Sequence, residues 1–358
     1  MHFHVNLCDV VQVVGGLPCL GPATCGHRIA HRESIAQALY SGTHWRIVQA
    51  ELLTLVQTYR LHQAGAYRRE KLRVAAELAE FNNRLVETLQ RQWKAAQIPS
   101  ADLLLAEVEN HAANQLVETA RQEYVAAVTD LRQQFGPVTD VVWIEPVGEL
   151  TFPAAAAAEE EERLVQMALV NRPEIQVARA AVESSRAAIC LARADRIPIP
   201  SLGPVYEHDE TGTTFYGMVL SSQVPAHNMG QTLVRQREAE HRRDVVALEQ
   251  LQQKTRIQVQ ATLARWRQAQ QLVQRTNALT EPIKSEALHM QRLYGAGQTD
   301  LVKLFQVRQR LIEASNTQLD ALWLSIQAYA DLLTALGGTP LIGSIEAESV
   351  PPVNPPSR

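Results

Sequence analysis

Between Leu103 and Leu131 the residues Leu103, Ala106, Asn110, Ala113, Val117, Ala120, Tyr124, Ala127 and Leu131 step by three and four. That is the seven-residue seam of a coiled coil, and alanine at every second seam position lets a neighbouring helix come close. Near the other end of the chain Ala314, Ala321 and Ala328 repeat the alanine seam, and Phe305, Ile312, Leu319, Ile326 and Leu333 add an unbroken apolar column at sevenfold spacing. This second helix therefore carries two seams and calls for two neighbours. Such a helix suits a ring of helices better than an isolated pair.

The other elements follow from composition and breakers. Ser34–Trp93 is rich in helix formers, lacks proline, and is interrupted only by Gly42 and Gly65. It predicts one long helix, about 90 Å at about 1.5 Å per residue, with a bend near a glycine. Ala95–Ser100 makes a turn, and Leu103–Gln134 returns until Gly136 and Pro137 stop it. A linker over 137–158 with an apolar cluster at Val141–Ile144 leads to a short helix from the acidic run Glu159–Glu162 to Val170. Asn171 is expected to cap the next helix, with Pro173 in its first turn and an end near Asp195.

Ser201–Asp209 and Thr214–Val224 read as two strands joined at Glu210–Thr213. In the second, Tyr216, Met218, Leu220 and Val224 alternate with Gly217, Ser221 and Gln223. Periodicity alone fits a barrel strand with lipid on one side and a small soluble hairpin packed on a helix equally well. A second long helix follows to about Arg292, with a kink predicted at Pro282, and Gly337-Gly338 caps the last helix.

The chain is also a duplication. A shift of 201 positions lays Gln90–Gly136 on Gln291–Gly337 without a gap, matching Ala95 with Ala296, Gln97 with Gln298, Leu103 with Leu304, Ala120 with Ala321, Asp130 with Asp331 and Gly136 with Gly337. The fold class is therefore mainly α: long antiparallel coiled-coil hairpins in two structural repeats, with one β-hairpin. The expected segments are an irregular leader over 1–33 standing where a first β region has degenerated, a first helical hairpin over 34–136, and a linker with a short helix over 137–170. A second repeat then covers 171–338, with the β-hairpin at 199–225 and a long helical hairpin at 229–336, before a disordered tail over 339–358.

Composition narrows the function. Aromatics make up 5% and the formal net charge is −4, with Arg interleaved among Glu and Gln, so no basic face exists to neutralise phosphates and nucleic acid is not an expected partner. No stretch reaches the roughly 18–20 consecutive apolar residues of a membrane-spanning helix, so contact with a bilayer would be made by strands. The N-terminus has no basic region and only a broken apolar segment, which does not read as a secretory signal.

Chemistry is sparse. There is no phosphate loop, no HExxH, no GxSxG, no CxxC and no cluster of carboxylates, so neither an enzyme nor a cofactor is expected. Cys8, Cys19 and Cys25 share the leader with His2, His4, His27 and His31, but their spacings fit no usual zinc pattern, and no metal site is assigned. Cys190 reads as a lone buried thiol, and His111, His208, His227, His241 and His289 as scattered surface residues.

In element order the second repeat resembles the TolC-type outer-membrane efflux proteins, in particular the branch serving metal and small-cation pumps. The resemblance rests on NRPEIQVARAAVESSRAAI (Asn171–Ile189), on the segment Ala194–Gln231, and on LYGAGQTDLVKLFQVRQRLIEA (Leu293–Ala314), which looks like the family's Tyr-x-x-Gly tip. It implies a passive homotrimeric conduit, a β-barrel in the outer membrane above a helical tunnel through the periplasm. It also implies a periplasmic adaptor protein and an inner-membrane efflux pump as partners. The adaptor would meet the tips at Ala96, Gln97, Gly295, Gly297 and Gln298, and Tyr216, Met218 and Leu220 would face lipid. Two departures matter: no signal peptide is recognised and the first hairpin of strands is missing, so the chain reads as N-terminally truncated or as given from a misassigned start, and both a working and a non-functional channel stay open for it. The alternative is a soluble coiled-coil scaffold or adaptor without a pore.

Overall fold

The computed structural model describes residues 24–136, 146, 150, 161–196, 201–208, 214–221 and 230–338. The leader before Thr24, most of the linker, the β-turn, the strand end up to Val224 and the tail from 339 lie outside them. The described elements are α1 (Thr24–Lys94), α2 (Ser100–Phe135), α3 (Glu161–Asn171), α4 (Pro173–Ala194), β1 (Ser201–His208), β2 (Thr214–Ser221), α5 (Gln231–Gly295) and α6 (Leu301–Leu336). The fold is mainly α, long helices packed as hairpins with one small β-hairpin.

Several boundaries differ from those read in the sequence. α1 begins at Thr24, ten residues before Ser34, so part of the expected irregular leader is helix. α1 also runs unbroken past both glycines. At Gly42 an added Cβ would stand 3.5 Å from the Cβ of Ala180, and at Gly65 it would stand 2.9 Å from Cγ of Pro146, so each glycine marks a close neighbour. The residue at the N-cap of α4 is Arg172, not Asn171, because α3 extends through Asn171. Arg172 is extended (φ −65°, ψ 120°), as the residue before a proline must be. Pro282 lies inside α5, which continues to Gly295. Cys190 is a free thiol and half-buried where full burial was expected.

The chain divides into two units, residues 1–49 with 170–254 and residues 50–169 with 255–358. In the first, Arg28 holds the end of α4: its Nη2 donates to the carbonyl of Ala194 at 2.9 Å and its Nε lies 3.2 Å from a carboxylate oxygen of Asp195. That satisfies a terminal carbonyl and places a cation at the negative end of the helix. Ser185 Oγ meets His241 Nδ1 at 3.0 Å, and Arg193 pairs with Glu238 at 2.8 Å, tying α4 to α5.

In the second unit the alanine seam works as its spacing requires. Ala106, Ala113 and Ala120 of α2 are buried, as are Ala75, Ala79, Val86 and Leu89 of α1. Further along, burial passes from the Ala127 position to Val128, since a 3.6-residue helix drifts against a seven-residue repeat. Around the last three turns α6 is buried on nearly every side, with Ser325, Ile326, Ala328, Tyr329, Ala330, Leu332, Leu333, Ala335 and Leu336 enclosed. One neighbour is α5, whose buried Trp266 ring stands 6.0 Å from the Tyr329 ring. The other is α1: Tyr67 stacks on Trp323 at 5.3 Å, and Arg60 pairs with Asp331. At its end α6 closes with Gly337 at φ 79°, and a Cβ on Gly338 would meet Leu52 Cδ1 at 2.1 Å.

Candidate functional site

The two helical turns are the same structure built twice. In the first, the amides of Ala95, Ala96 and Gln97 donate to the carbonyls of Arg91, Trp93 and Gln92 at 3.1, 2.8 and 2.9 Å. In the second, those of Ala296, Gly297 and Gln298 donate to Arg292, Tyr294 and Leu293 at 3.1, 3.0 and 2.9 Å. Every donor and acceptor is displaced by the same 201 positions found in the sequence. The 6→1 bond with a left-handed residue beside it is a Schellman closure. The left-handed residue is Gly297 (φ 70°) in one tip and Ala96 (φ 57°) in the other.

Both tips lie at one end of their unit. A single apolar cluster of Val86, Leu89, Ala106 and Leu301 gathers Ile98 and Leu103 from the first tip with Tyr294 and Phe305 from the second. Ala96, Gln97, Gly295, Gly297 and Gln298 are all exposed on this base. At Gly295 and Gly297 an added Cβ meets nothing within 4 Å. Tyr294 is half-buried at the tip, and its hydroxyl is held above its ordinary pKa first by burial and then by the negative charges of Asp102 and Asp300.

The β-hairpin is antiparallel, with Leu202 opposite Leu220, Pro204 opposite Met218 and Tyr206 opposite Tyr216. Tyr216, Met218 and Leu220 are 81%, 72% and 70% exposed, three large apolar side chains in a row on one face of β2. Among the described residues each strand has one partner and one open edge.

A network the sequence did not reveal crosses from α1 to α6. Asp320 accepts from the hydroxyl of Tyr67 and lies 2.8 Å from Nζ of Lys71, while the guanidinium of Arg68 sits 5.2 Å from the centre of the Tyr67 ring. Burial alone would raise the Asp320 pKa, but Lys71 and Tyr67 overcome it and hold the carboxyl below its ordinary range. Tyr59 is pushed up to about 12, first by burial and then by neighbouring Tyr329. Among the described residues no three metal-ligating side chains converge, and no helix is long and apolar enough to cross a membrane. The cysteines at 8 and 19 and the histidines at 2 and 4 lie outside those residues.

The sequence pattern of the outer membrane efflux protein family matches residues 164–338. The fold likeness reaches further. CusC, whose crystal structures describe folding and transmembrane channel formation, superposes with a TM-score of 0.71 at 17% identity, over 87% of this chain and 74% of that one. The Campylobacter jejuni CmeC outer membrane channel does so with a TM-score of 0.67 at 12% identity, over 90% of this chain and 71% of that one. Alkaline protease secretion protein AprF of Pseudomonas aeruginosa is 25% identical over 224 residues, 59% of this chain and 45% of AprF, so the chain spans about half the length of the curated relative it matches. Outer membrane efflux proteins are channels and not enzymes, and members of the family form trimeric channels in tripartite systems.

Proposed function

We propose that this chain is the outer-membrane channel subunit of a tripartite efflux system, a passive homotrimeric conduit through the outer membrane and periplasm. The observation that carries the reading is the family match over 164–338 on a chain whose fold follows efflux channels over 87% of its length. The exposed row Tyr216, Met218 and Leu220 supports a lipid-facing strand, since apolar side chains on the outside of a barrel replace solvent with acyl chains. The open edges of both strands support joining to strands of other subunits, because closure is what satisfies edge amides in a bilayer. The paired tips, polar and exposed on rigid helices, suit a periplasmic adaptor at Ala96, Gln97, Gly295, Gly297 and Gln298, with an inner-membrane pump beyond it. We place the chain in the branch serving metal and small-cation pumps on the segments Asn171–Ile189 and Leu293–Ala314.

A soluble scaffold would have the helical seams but gains nothing from three exposed apolar residues on one strand face. Fractionating cells that express the native gene tests the choice. Recovery in the outer membrane as a trimer that conducts in planar bilayers is expected, with increased metal sensitivity when the gene is deleted. Recovery in the soluble fraction alone would refute the channel, and an unchanged metal tolerance would remove the metal branch.

A further inference from the structure

In the first unit a groove of about 380 Å³ lies along α4 between the first turns of α1 and of α5. Its direction follows from a few contacts. Arg28 of α1 reaches the carbonyl of Ala194 on α4, and further along α1 Gly42 stands beside Ala180, so the two helices run antiparallel. Ser185 of α4 meets His241 of α5 and Arg193 pairs with Glu238, so α5 also runs against α4. Because α4 leads into β1, one end of the groove lies toward the strands and the other away from them.

The lining changes character between those ends. Leu191 and Leu233 stand at the strand end, Ile35 and Leu39 follow on α1, and the α5 side continues away from the strands as Arg237, Glu240, Arg243 and Asp244. From Leu233 to Asp244 the groove runs about 16 Å at about 1.5 Å per residue. Leu39 and Leu233 are 60% and 39% exposed, so the apolar part is open. The charges, in contrast, are already matched: Arg237 with Glu240 and Arg243 with Asp244, each at 2.8 Å, and Asp195 with Arg28 at 3.2 Å. A ligand of net charge would leave one member of such a pair over, whereas a ligand carrying a cation and an anion side by side complements both.

We propose that this groove binds a zwitterionic phospholipid from the leaflet on the helical side of the barrel, with an acyl chain against Leu39, Leu191 and Leu233 and the headgroup along Arg237–Asp244. The phosphate would take the two arginines and the ammonium the two carboxylates. The inference rests on the channel reading above, which sets β2 in the outer membrane, and adds a ligand for the surface next to it. The order of the lining decides the orientation: a lipid of that leaflet points its chains toward the strands and its headgroup away, and the groove is apolar and charged in the same order. Tyr40, 77% exposed beside Leu39 on α1, supplies the kind of amphipathic ring that sits at headgroup level. The volume lies low in the range of roughly 300–1,000 Å³ usual for small ligands, which suits one chain and leaves the other to the bilayer.

Photolabelling tests it. The full chain is reconstituted in vesicles of phosphatidylethanolamine and phosphatidylglycerol in equal parts, with a diazirine on an acyl chain of one lipid or of the other. Labelled phosphatidylethanolamine should mark the peptides that contain Leu39 and Leu233 as well as β2, and should mark the two groove peptides about threefold more than labelled phosphatidylglycerol does. Leu39→Glu, at an exposed position, should cut the groove label about tenfold, because a carboxylate is not seated among acyl carbons. The trimer fraction by amine cross-linking and the label on β2 should stay as in the parent. A trimer labelled on β2 but not in the groove would overturn the site, the face then being covered by a second copy or another protein, and would leave the channel reading standing. Equal groove labelling by the two lipids, or labelling that survives Leu39→Glu, would mean non-selective contact with the bilayer and would overturn the site as well. Absence of both the trimer and the β2 label would overturn the channel reading along with it.

Discussion

Ala96 and Gly297 occupy the same left-handed position in the two tip turns, at φ 57° and 70°. Only one of them is glycine. A Cβ in this region costs roughly 1–2 kcal/mol, part of which glycine returns through the greater freedom of its unfolded chain. Ala96→Gly should therefore stabilise the first hairpin by about 0.5–1 kcal/mol, and Gly297→Ala should destabilise the second by a similar amount. Urea unfolding followed by circular dichroism checks both, and equal effects of the same sign would contradict the argument. The strain also decides how adaptor docking is probed. Bulky replacements belong at Gly295, where the backbone is helical and the space open, because at Gly297 they would disturb the turn itself.

Gly42 and Gly65 of α1 are predicted to respond oppositely to alanine. At Gly42 the new methyl would make ordinary contact with Ala180 at 3.5 Å, so helix propensity decides and Gly42→Ala should add about 1 kcal/mol. At Gly65 it would come within 2.9 Å of Pro146, whose carbonyl accepts from Arg69 Nη1 at 2.9 Å, so the linker must move. Gly65→Ala should then lose about 1–2 kcal/mol through overpacking. Thermal melts of the two variants separate these outcomes, and stabilisation by both would mean that Pro146 yields freely.

Much of this architecture is written in local periodicity. The alanine seam of α2, the sevenfold column of α6, the duplicated turns and the β-hairpin each follow from residues within a few turns of one another. What the sequence hid is non-local or backbone in nature. Asp320 is 253 residues from the Tyr67 hydroxyl it accepts from, and no pattern within either helix announces the pair. Nothing in the sequence around Gly65 points to its close neighbour Pro146. Ala96 gave no sign of a left-handed turn, since alanine is a helix former, and only its equivalence with Gly297 hints at it. The N-cap moved from Asn171 to Arg172 because α3 runs on to within one residue of Pro173.

The Asp320 carboxyl gives the seam between α1 and α6 a defined pH response. Its pKa is lowered in the folded chain, so its contribution is present above the unfolded value of about 3.9 and is lost as pH falls through the folded value. The side chain is half exposed and screened, which limits the contribution to about 0.5–1 kcal/mol. Lys71 has its pKa raised: burial opposes the charge, but Asp320 and Tyr67 outweigh it. Its contribution is therefore full below about pH 10.4 and lost as pH rises through the folded value. Asp320→Asn should flatten the acid limb of the stability profile below about pH 4, and an unchanged acid limb would show that Asp320 contributes nothing there.

The two faces of β2 should respond differently to an added charge. If the strand lines a membrane barrel, Tyr216, Met218 and Leu220 look toward lipid, and Gly217, one position out of phase, looks toward water. An arginine at the bilayer midplane costs about 2–4 kcal/mol on the lipid face and far less inside the barrel. The backbone tolerates either change: Gly217 has no atom within 4 Å of an added Cβ, and Leu220 is already exposed. Leu220→Arg should therefore cut recovery of the trimer from outer membranes by more than tenfold. Gly217→Arg should assemble at the parental level and shift ion selectivity toward anions. Equal recovery of both variants would place β2 outside the lipid, and equal loss of both would mean that the strand is buried on both faces.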